Sequence, residues 1–446
     1  MTPAVSAQST PAQRWLARLS FALAGLAIVI LVVFAELRSL AMFAVGVVAA
    51  VVSVAAAYFV LSRRGILRWL SLGLLVLVPI AVIVIFALGG VLWVAIVSAG
   101  VWLLAGVTAR QALTRDRPDW RMPEYPAQPP ARRPYLIMNS KSGDGKVDRF
   151  DLKRKAEALG AEVFLFGGSG PVDVAAIARQ AVANGADLLG VAGGDGTQAL
   201  VAGIAAEQGL PFVVISAGTR NHFALDLGLD RADPARCLSA LADGVELRVD
   251  LGVINGQTFV NNASFGAYAE IVETPAYRGD KMGTTLNLLP DLLQGHRGAT
   301  LAAHLDGTRI EAPQALLVAN NPYGTGDIAG LSRRMRLDGG LLGVVGITVR
   351  TAGQAVDLLR GSRADGVSVL TTKKIEITAD AAQIPVGVDG EALTMSTPVT
   401  CTLTPGALRV WVPRERPGVP PPKPPVNWAR LRPLAGGRRA PAEVTM

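Results

Sequence analysis

The sequence predicts an α-helical membrane region followed by two further domains, a parallel α/β domain and a β-sandwich. Three observations lead to this fold class. Nearly all of the apolar excess lies before Arg110. Strand-like and helix-like patterns alternate from Pro134 onward. From about Arg248, strand-like runs are joined by dipeptides that are typical of tight hairpins.

The membrane region covers residues 1–108 and contains four apolar runs. Each is close to the roughly 20 residues that a helix needs to cross a bilayer, where hydrocarbon offers no partner to free backbone groups. The runs are Trp15–Ala35, Leu40–Leu61, Leu70–Leu88 and Val91–Val107. A cleaved signal peptide is the alternative for the first run, but its length and the runs that follow favour a retained helix.

Basic residues predict which ends of these helices face the cytoplasm. They precede the first run, occupy the second loop and follow the fourth run, namely Arg14, Arg18, Arg63, Arg64, Arg68, Arg110, Arg115, Arg117 and Arg121. Cytoplasmic loops carry the excess of Lys and Arg. We therefore expect a multi-pass protein of the cell membrane whose N-terminus and whole part after the fourth run are cytoplasmic.

Composition restricts the class of protein. The chain has 446 residues, 50% of them hydrophobic, and a net charge of +8. Much of the positive surplus lies in two Pro- and Arg-rich stretches, which suit anionic lipid headgroups or, equally, solvated linkers. Nucleic acid is disfavoured because basic and aromatic side chains are not interleaved. The two cysteines, Cys237 and Cys401, exclude a disulfide framework or zinc spacing and are typical of a reducing compartment.

Residues 109–133 are predicted to be a Pro- and Arg-rich linker, and residues 134–247 an α/β domain. Its predicted strands are Tyr135–Met138, Val163–Phe166, Leu188–Val191 and Phe212–Ile215, and its predicted helices cover 148–159, 172–185 and 197–208. This alternation predicts a parallel sheet covered by helices on both faces.

Residues 248–412 are predicted to be the β-sandwich. Its hairpin signals are Asn255-Gly256, Asp306-Gly307 and Asp389-Gly390, whose residues tolerate positive φ angles. Helices are expected near 285–294 and 352–360, and residues 413–446 are predicted to be a disordered, basic, Pro-rich tail.

The strongest chemical signal is the run Gly193-Gly194-Asp195-Gly196-Thr197, which follows a predicted strand and opens a helix. Ligands bind beyond the carboxyl ends of strands in open parallel sheets. Glycines at a helix N-terminus let backbone N–H groups approach an anion. Asp195 would oppose a phosphate directly, so we expect it to act through a bound Mg²⁺ or a hydroxyl. The alternative is a glycine-rich turn in which Asp195 and Thr197 are caps.

Two other polar loops follow strands at the same edge of the sheet, Asn139-Ser140-Lys141-Ser142-Gly143 and Ser216-Ala217-Gly218-Thr219-Arg220-Asn221. We expect the three loops to converge on one crevice. A P-loop is excluded because Gly145-Lys146 lacks both the upstream glycine and the following Ser or Thr.

These loops, together with Asn221-His222-Phe223-Ala224, Val249-Asp250 and Val388-Asp389-Gly390-Glu391, resemble the motifs of the diacylglycerol kinase catalytic family, which includes sphingosine and ceramide kinases. The resemblance covers about residues 134–412, with the motifs in the family's order. It implies an α/β nucleotide-binding domain and a β-sandwich with the active site between them.

The resemblance also implies roles for individual residues. Asp389 would accept the proton of a lipid hydroxyl, with Glu391 beside it. Asp250 would join, through water, the network around catalytic Mg²⁺, and Asp195 would contact the nucleotide–metal site. ATP would be bound by Asn139, Ser142, Gly143, Gly193, Gly194, Asp195, Gly196, Thr197, Gly218 and Thr219. Without the resemblance, Asp389-Gly390 is predicted to be only a hairpin turn.

The sequence departs from the family pattern at several positions. Ser140-Lys141 stands where proline is common, and Gly167 where a nucleotide-contacting threonine is often found. Asp338 matches part of a structural Mg²⁺ motif, but Met335 replaces the acidic residue three positions earlier. We therefore expect this second metal site to be weak or absent.

With the membrane region, the resemblance implies a membrane-anchored kinase that uses ATP and Mg²⁺ to phosphorylate a lipid hydroxyl. Diacylglycerol is the favoured substrate, giving phosphatidic acid, and sphingosine or another long-chain base is the alternative. A kinase of soluble substrates would have no use for the anchor, and the retained carboxylates disfavour an inactive lipid or nucleotide sensor. The expected partners are lipid, the bilayer and ATP, without nucleic acid, and a homodimer is possible.

Overall fold

The computed structural model describes residues 10–34, 37–63, 65–114, 121–168, 170, 172–219, 221–267, 269, 298–323, 333–334, 336–348, 354, 366–419 and 426–437. Within them the chain forms a helical bundle, an α/β domain and a β-sandwich. The helix predicted near 285–294 and most of that near 352–360 lie outside these residues.

Four long helices form the N-terminal part and confirm the helices predicted there, α1 (Pro11–Val33), α2 (Leu37–Ser62), α3 (Ile66–Leu88) and α4 (Leu92–Thr114). Helix α1 begins at a capping box. The Thr10 hydroxyl accepts from the Gln13 N–H at 3.3 Å, and the Gln13 amide oxygen accepts from the Thr10 N–H at 2.8 Å. In the described part of the chain, three helices are long and apolar enough to cross a membrane: α1, α3 and the Leu92–Leu113 part of α4. Helix α2 contributes the apolar stretch Ala44–Val60.

The four helices pack in two pairs, α1 on α4 and α2 on α3. The Ser98 hydroxyl on α4 donates to the carbonyl oxygen of Ala27 on α1 at 3.0 Å, so the first pair shares a polar contact. None of the residues of α3, a fully described helix, is buried. Helix α3 is almost entirely apolar and buries none of its residues although it packs on α2, which is typical of contact with lipid. Crossing of the bilayer stays a prediction.

The α/β domain contains the predicted parallel sheet, in the order β5-β4-β2-β3. Its strands, with a short strand in the linker before them, are β1 (Tyr125–Pro126), β2 (Pro134–Asn139), β3 (Glu162–Phe166), β4 (Leu188–Ala192) and β5 (Pro211–Ile215). Its helices are α5 (Lys146–Arg149), α6 (Leu152–Ala158), α7 (Val174–Ala183), α8 (Asp195–Glu207) and α9 (His222–Asp226), followed by a 3₁₀ helix at Pro234–Leu241. The single helix predicted over 148–159 is wrong, because Asp151 adopts a left-handed φ of 51° that separates α5 from α6. Strands β4 and β5 are buried throughout, as expected for a sheet covered on both faces.

Two sheets form the β-sandwich. One is antiparallel, in the order β13-β12-β11-β8-β15-β16, and the other continues the parallel sheet through β17 to β14, β9 and β10. The strands are β6 (Gly244–Ile254), β7 (Gln257–Phe259), β8 (Asn262–Gly266), β9 (Leu301–Leu305), β10 (Thr308–Glu311), β11 (Ala315–Asn320), β12 (Leu342–Ile347), β13 (Val367–Thr372), β14 (Lys374–Ala379), β15 (Gln383–Val388), β16 (Glu391–Ser396) and β17 (Val399–Pro413). Alternate residues such as Phe265, Val318 and Ile377 form the core between the sheets.

All three predicted hairpins are present. Asn255-Gly256 joins β6 to β7, Asp306-Gly307 joins β9 to β10, and Asp389-Gly390 joins β15 to β16. The φ angles of the three pairs are 44° and 86°, 41° and 79°, and 49° and 87°. Positive φ at both positions is the property of a type I′ turn, whose twist matches that of the flanking strands.

Strand β17 connects the two domains. Its first part, Val399–Thr402, pairs with β14 in the sandwich, whereas Arg409–Trp411 pairs in parallel with β5. Strand β6 runs antiparallel beside it along both parts. The predicted boundary between residues 247 and 248 falls inside β6, and β17 later returns the chain to the sheet of the first domain.

The C-terminal tail contains helix α10 (Trp428–Ala435), which packs against α1 and α4. Its Leu431 and Leu434 are fully buried among alanines of both helices. The ring centroid of Trp428 lies 5.4 Å from that of Phe21 and 5.9 Å from that of Trp102. The predicted disorder of residues 413–446 is therefore wrong for residues 426–437. The Pro- and Arg-rich composition concealed apolar residues spaced three apart, which a helix places on one face.

Candidate active site

The three polar loops meet at one edge of the parallel sheet, as predicted. A Cβ placed on Gly143 would lie 2.2 Å from the carbonyl oxygen of Ala217. A Cβ placed on Gly218 would lie 2.7 Å from the carbonyl oxygen of Gly193. Because glycine alone lacks a Cβ, it permits these approaches, and the third loop packs on both of the others.

Helix α8 begins at the second loop, with Gly194 as its N-cap. Gly194 has a φ of −74°, and a Cβ placed on it would meet no described atom within 4 Å. The first N–H groups of a helix have no intrahelical partner, and together with the helix dipole they favour an anion. A phosphate therefore has both room and donors in front of Gly194.

Asp195 is buried at the start of α8, where its carboxylate faces the third loop. It accepts from the backbone N–H of His222 at 3.0 Å and of Phe223 at 3.4 Å. Asp195 therefore caps the neighbouring helix α9 rather than its own helix. Capping is compatible with contact to a metal ion, because a carboxylate has about four lone-pair sites.

Two buried amides tie the second loop to the third, and neither was identified as a site residue from the sequence. Gln198 donates from Nε2 to the carbonyl oxygen of Gly193 at 3.0 Å and to Oδ1 of Asn221 at 3.3 Å. Asn221 donates from Nδ2 to the carbonyl oxygen of Gly218 at 3.0 Å. The Oε1 of Gln198 is buried without a hydrogen-bond partner among the described residues. A glutamine in an ordinary helical segment gives no sequence signal for this role.

Two departures from the family pattern compensate each other. Gly167 has a φ of 141°, and a Cβ placed on it would lie 2.1 Å from Oγ of Ser140. The Ser140 side chain therefore occupies the volume that a threonine at position 167 would need.

Asp389 is both the first residue of a hairpin turn and an acceptor of three hydrogen bonds. Its carboxylate accepts from the N–H groups of Val260 at 2.8 Å, Asn261 at 2.7 Å and Asn262 at 3.1 Å. Val260 and Asn261 connect β7 to β8, and Asn262 begins β8. The hairpin turn expected without the resemblance is therefore real, and it also presents a fixed carboxylate.

Burial raises the pKa of Asp389 to about 7. The nearby Asp195 carboxylate adds to this rise, whereas the three backbone N–H donors oppose it. A carboxylate with a pKa near neutrality is a stronger base than an exposed aspartate and can exchange a proton at neutral pH. Such a shift in a cleft is typical of a reacting group.

Glu391 brings the β-sandwich into contact with the glycine loop. A Cβ placed on Gly196 would lie 3.0 Å from Cγ and 3.7 Å from Oε1 of Glu391. Glu391 begins β16 directly after the Asp389-Gly390 turn. The structure therefore places the Glu391 side chain of this hairpin against the start of α8.

Asp250 lies in strand β6 and is only 1% exposed. Its carboxylate accepts from the N–H of Gly406 at 2.8 Å, the N–H of Gly340 at 2.7 Å and Nδ2 of Asn321 at 3.0 Å. These bonds join β6 to the bulge in β17 and to the segment before β12. The contacts are structural, and a water-mediated link to Mg²⁺ stays a prediction.

Asp338 forms a bidentate ion pair with Arg336, whose Nε and Nη2 each lie 2.8 Å from a carboxylate oxygen. The guanidinium occupies the side of this carboxylate that a metal ion would need. Within the described residues, no group of three or more His, Cys, Asp or Glu side chains could hold a metal ion alone.

Mg²⁺ in phosphoryl-transfer sites is commonly held by one or two carboxylates together with substrate phosphates and water. Asp195 fits a site of this kind, because its carboxylate lies at the start of α8 beside the open space in front of Gly194. The glycine loop is therefore compatible with a metal ion that binds together with the nucleotide phosphates.

Comparison with known proteins shows the family to which this chain belongs. The sequence matches the diacylglycerol kinase catalytic domain over residues 133–254 and the YegS C-terminal NAD kinase beta sandwich-like domain over residues 274–412. A Pseudomonas aeruginosa (strain UCBPP-PA14) protein named "Probable lipid kinase YegS-like" is 30% identical over 262 residues, which cover 55% of this chain and 83% of that protein. This chain belongs to the diacylglycerol kinase catalytic family. Family membership makes it an ATP-dependent lipid kinase.

Two further proteins are similar to more than half of the chain. The diacylglycerol kinase of Bacillus subtilis (strain 168) is 25% identical over 272 residues, or 58% of this chain and 90% of that protein. A solved diacylglycerol kinase from Bacillus anthracis str. Sterne aligns with a TM-score of 0.51 at 20% identity, covering 64% of this chain and 99% of its own. At that identity the solved structure shows the fold alone.

Proposed function

We propose that this lipid kinase transfers the γ-phosphoryl group of ATP to the free hydroxyl of diacylglycerol, giving phosphatidic acid. One observation carries the proposal: the Asp389–Glu391 hairpin of the sandwich lies against the start of α8 at Gly196. A candidate base thereby faces a candidate phosphate site. The choice of diacylglycerol is supported by the name of the Bacillus subtilis relative.

The three loops would bind ATP from one side. The N-terminus of α8 supplies backbone donors and positive dipole charge to the phosphates. Asp195 would hold Mg²⁺, which when bound neutralises charge on the phosphates during transfer. The buried amides Gln198 and Asn221 keep the second and third loops together, so the donors are already in place before ATP arrives.

Asp389 would accept the proton of the lipid hydroxyl as the hydroxyl oxygen attacks the γ-phosphorus. A new O–P bond forms, and the bond from the γ-phosphorus to the β–γ bridging oxygen breaks. That oxygen keeps the electron pair and leaves on ADP. The three N–H groups that hold the Asp389 carboxylate fix its position in advance, so little reorganisation is needed at the moment of reaction.

The substrate is tested by labelled ATP and a panel of lipid alcohols with the full-length, detergent-solubilised protein. We expect label in diacylglycerol and much less in sphingosine, ceramide or soluble NAD. Preferential labelling of sphingosine would assign the enzyme to long-chain bases. Tight ATP binding without label in any lipid would contradict the proposal and favour a catalytically inactive lipid or nucleotide sensor.

We also propose that the helical bundle anchors the enzyme in the cell membrane with the catalytic part in the cytoplasm. Helix α10 contacts Ala17 near the start of α1 and both Ala109 and Ala112 near the end of α4. These contacts bring the N-terminus, the start of the linker and the tail to one end of the bundle. Arg14, Arg18 and Arg110 lie near the same end, as the positive-inside rule requires of a cytoplasmic face.

Reporter fusions test this topology. Fusions after the C-terminus and in the α2–α3 loop near Arg63 should both report cytoplasm. A fusion at Gly89-Gly90, between α3 and α4, should report the outside and serves as the internal control. An external signal from the C-terminal fusion would contradict the proposed orientation.

A further inference from the structure

Arg334 is fully buried and connects the two domains. Its Nε lies 2.7 Å from Oδ2 of Asp226, and its backbone N–H donates to Oδ1 of the same carboxylate at 3.1 Å. Asp226 is the last residue of α9 and is itself only 2% exposed. The pair therefore joins the nucleotide-binding half to a segment of the sandwich half.

The remaining donors of Arg334 hold the segment that carries Asp389. Nη1 donates to the carbonyl oxygens of Val260 at 2.6 Å and Asn320 at 2.7 Å, and Nη2 donates to Oδ1 of Asn261 at 2.7 Å. The N–H groups of Val260 and Asn261 donate in the opposite direction, to the Asp389 carboxylate. The segment from Val260 to Asn262 therefore accepts hydrogen bonds from Arg334 and donates hydrogen bonds to Asp389.

The other end of this chain of contacts reaches the glycine loop. Asp226 closes α9, whose first two N–H groups donate to the Asp195 carboxylate. Hydrogen bonds therefore run from Asp195 through α9 to Asp226 and Arg334, and from there through the Val260–Asn262 segment to Asp389. Every link is a contact between described residues.

We propose that Arg334 and Asp226 are positioning residues that set the place of Asp389 relative to the phosphate site. The inference rests on the proposed role of Asp389 as the base. Arg334 touches neither the glycine loop nor the Asp389 carboxylate in the described contacts, so it acts through the segment between them.

Two physical arguments favour positioning over stability alone. A buried ion pair contributes little net stability, because apolar side chains of similar volume often do as well or better. The planar guanidinium, in contrast, presents donors in a rigid fork. Here the fork reaches one carboxylate, one amide oxygen and three carbonyl oxygens, including that of Asn261 at 3.3 Å. Burial raises the pKa of Asp226 to about 6 and Arg334 opposes this rise, so the carboxylate is charged at neutral pH.

The first test is Arg334→Lys in the full-length enzyme. Lysine keeps a positive charge beside Asp226 but cannot donate along the same fork. We expect kcat to fall by about 10- to 100-fold, since small misplacement of a reacting group has effects of this size. ATP affinity and the KM for lipid should stay close to wild type. Arg309→Lys, in an exposed ion pair with Glu311 at 3.1 Å, is the matched control and should leave kcat unchanged.

The second test separates positioning from folding. Arg334→Met leaves the Asp226 carboxyl group buried without its partner and should lower Tm strongly. Adding Asp226→Asn removes the ionisable group and should restore much of Tm. A positioning role predicts that kcat stays low in the double variant, whereas a structural role predicts that kcat returns with Tm. Wild-type kcat in Arg334→Lys, or recovery of kcat with Tm in the double variant, would overturn the inference. Asp389→Asn is assayed in parallel, and if it stays active the base assignment fails independently of Arg334.

Discussion

Replacing Asp389 by asparagine is expected to lower kcat by about 10²- to 10⁴-fold, the contribution of a positioned general base. ATP binding should persist, because the phosphate site is built by loops of the other domain. Asparagine keeps the size of the side chain but offers one acceptor oxygen instead of two. We therefore also expect some loss of Tm, since the N–H of Val260 or those of Asn261 and Asn262 lose their acceptor.

Asp306→Asn is the matched control for this effect. Asp306 occupies the same position of the same type of hairpin turn, with a φ of 41°, and its carboxylate accepts from the Thr372 hydroxyl at 2.7 Å. The control should share the small loss of Tm and keep kcat. Near-normal kcat in Asp389→Asn would place the base elsewhere and leave Asp389 as a turn residue.

The pH dependence gives an independent measure of the same group. Because the pKa of Asp389 is raised to about 7, kcat/KM should rise with pH through that value and level off above it. The free energy of unfolding should change in the opposite direction. The stabilising contribution of Asp389 is complete below its ordinary pKa of 3.8 and is lost as pH rises through about 7. The residual activity of Asp389→Asn should lack the acid limb, and a limb that persists there would belong to another group.

Gly194→Ala is expected to weaken ATP binding by about 10- to 100-fold, the range for a lost hydrogen bond to a charged group. The added methyl group would project into the open space in front of α8, where a phosphate approaches. Gly194 has a negative φ and no described atom within 4 Å of the new methyl group, so the free protein should accommodate it. Loss of affinity would then report on the ligand and not on the fold.

Gly436→Ala provides the matched control for the glycine change. Gly436 also has a negative φ, of −80°, and the nearest atom to an added Cβ lies 3.5 Å away, in ordinary contact. ATP affinity should be unchanged there, and Tm should be close to wild type in both variants. Normal ATP affinity in Gly194→Ala would remove this loop as the phosphate site.

Local patterns predicted the parts of the fold that depend on near neighbours. The strands of the parallel sheet and all three hairpins follow from runs of apolar residues and from Asn-Gly or Asp-Gly pairs. The Asp-Gly pair predicted the turn at Asp389 but not its chemistry. An aspartate that serves only as a turn residue and one whose carboxylate accepts three hydrogen bonds look the same in the sequence. Only the family resemblance indicated that role, and the structure then placed Glu391 beside Gly196.

Contacts between distant parts of the chain could not be predicted in this way. Arg334 follows another arginine in a polar segment, which gives no sign that it is buried against Asp226, 108 positions earlier. The pairing of strand β17 with both β14 and β5 depends on the completed sheet. The apolar face of α10 is buried only because α1 and α4 pack against it.

The attachment of α10 to the bundle limits how the catalytic part can turn. A single connection after α4 would let the catalytic part turn in every direction. Because α10 packs on α1 and α4, the chain joins the catalytic part to the bundle at two places, once after α4 and once before α10. Two connections restrict the turning of the catalytic part relative to the bundle more than one connection would.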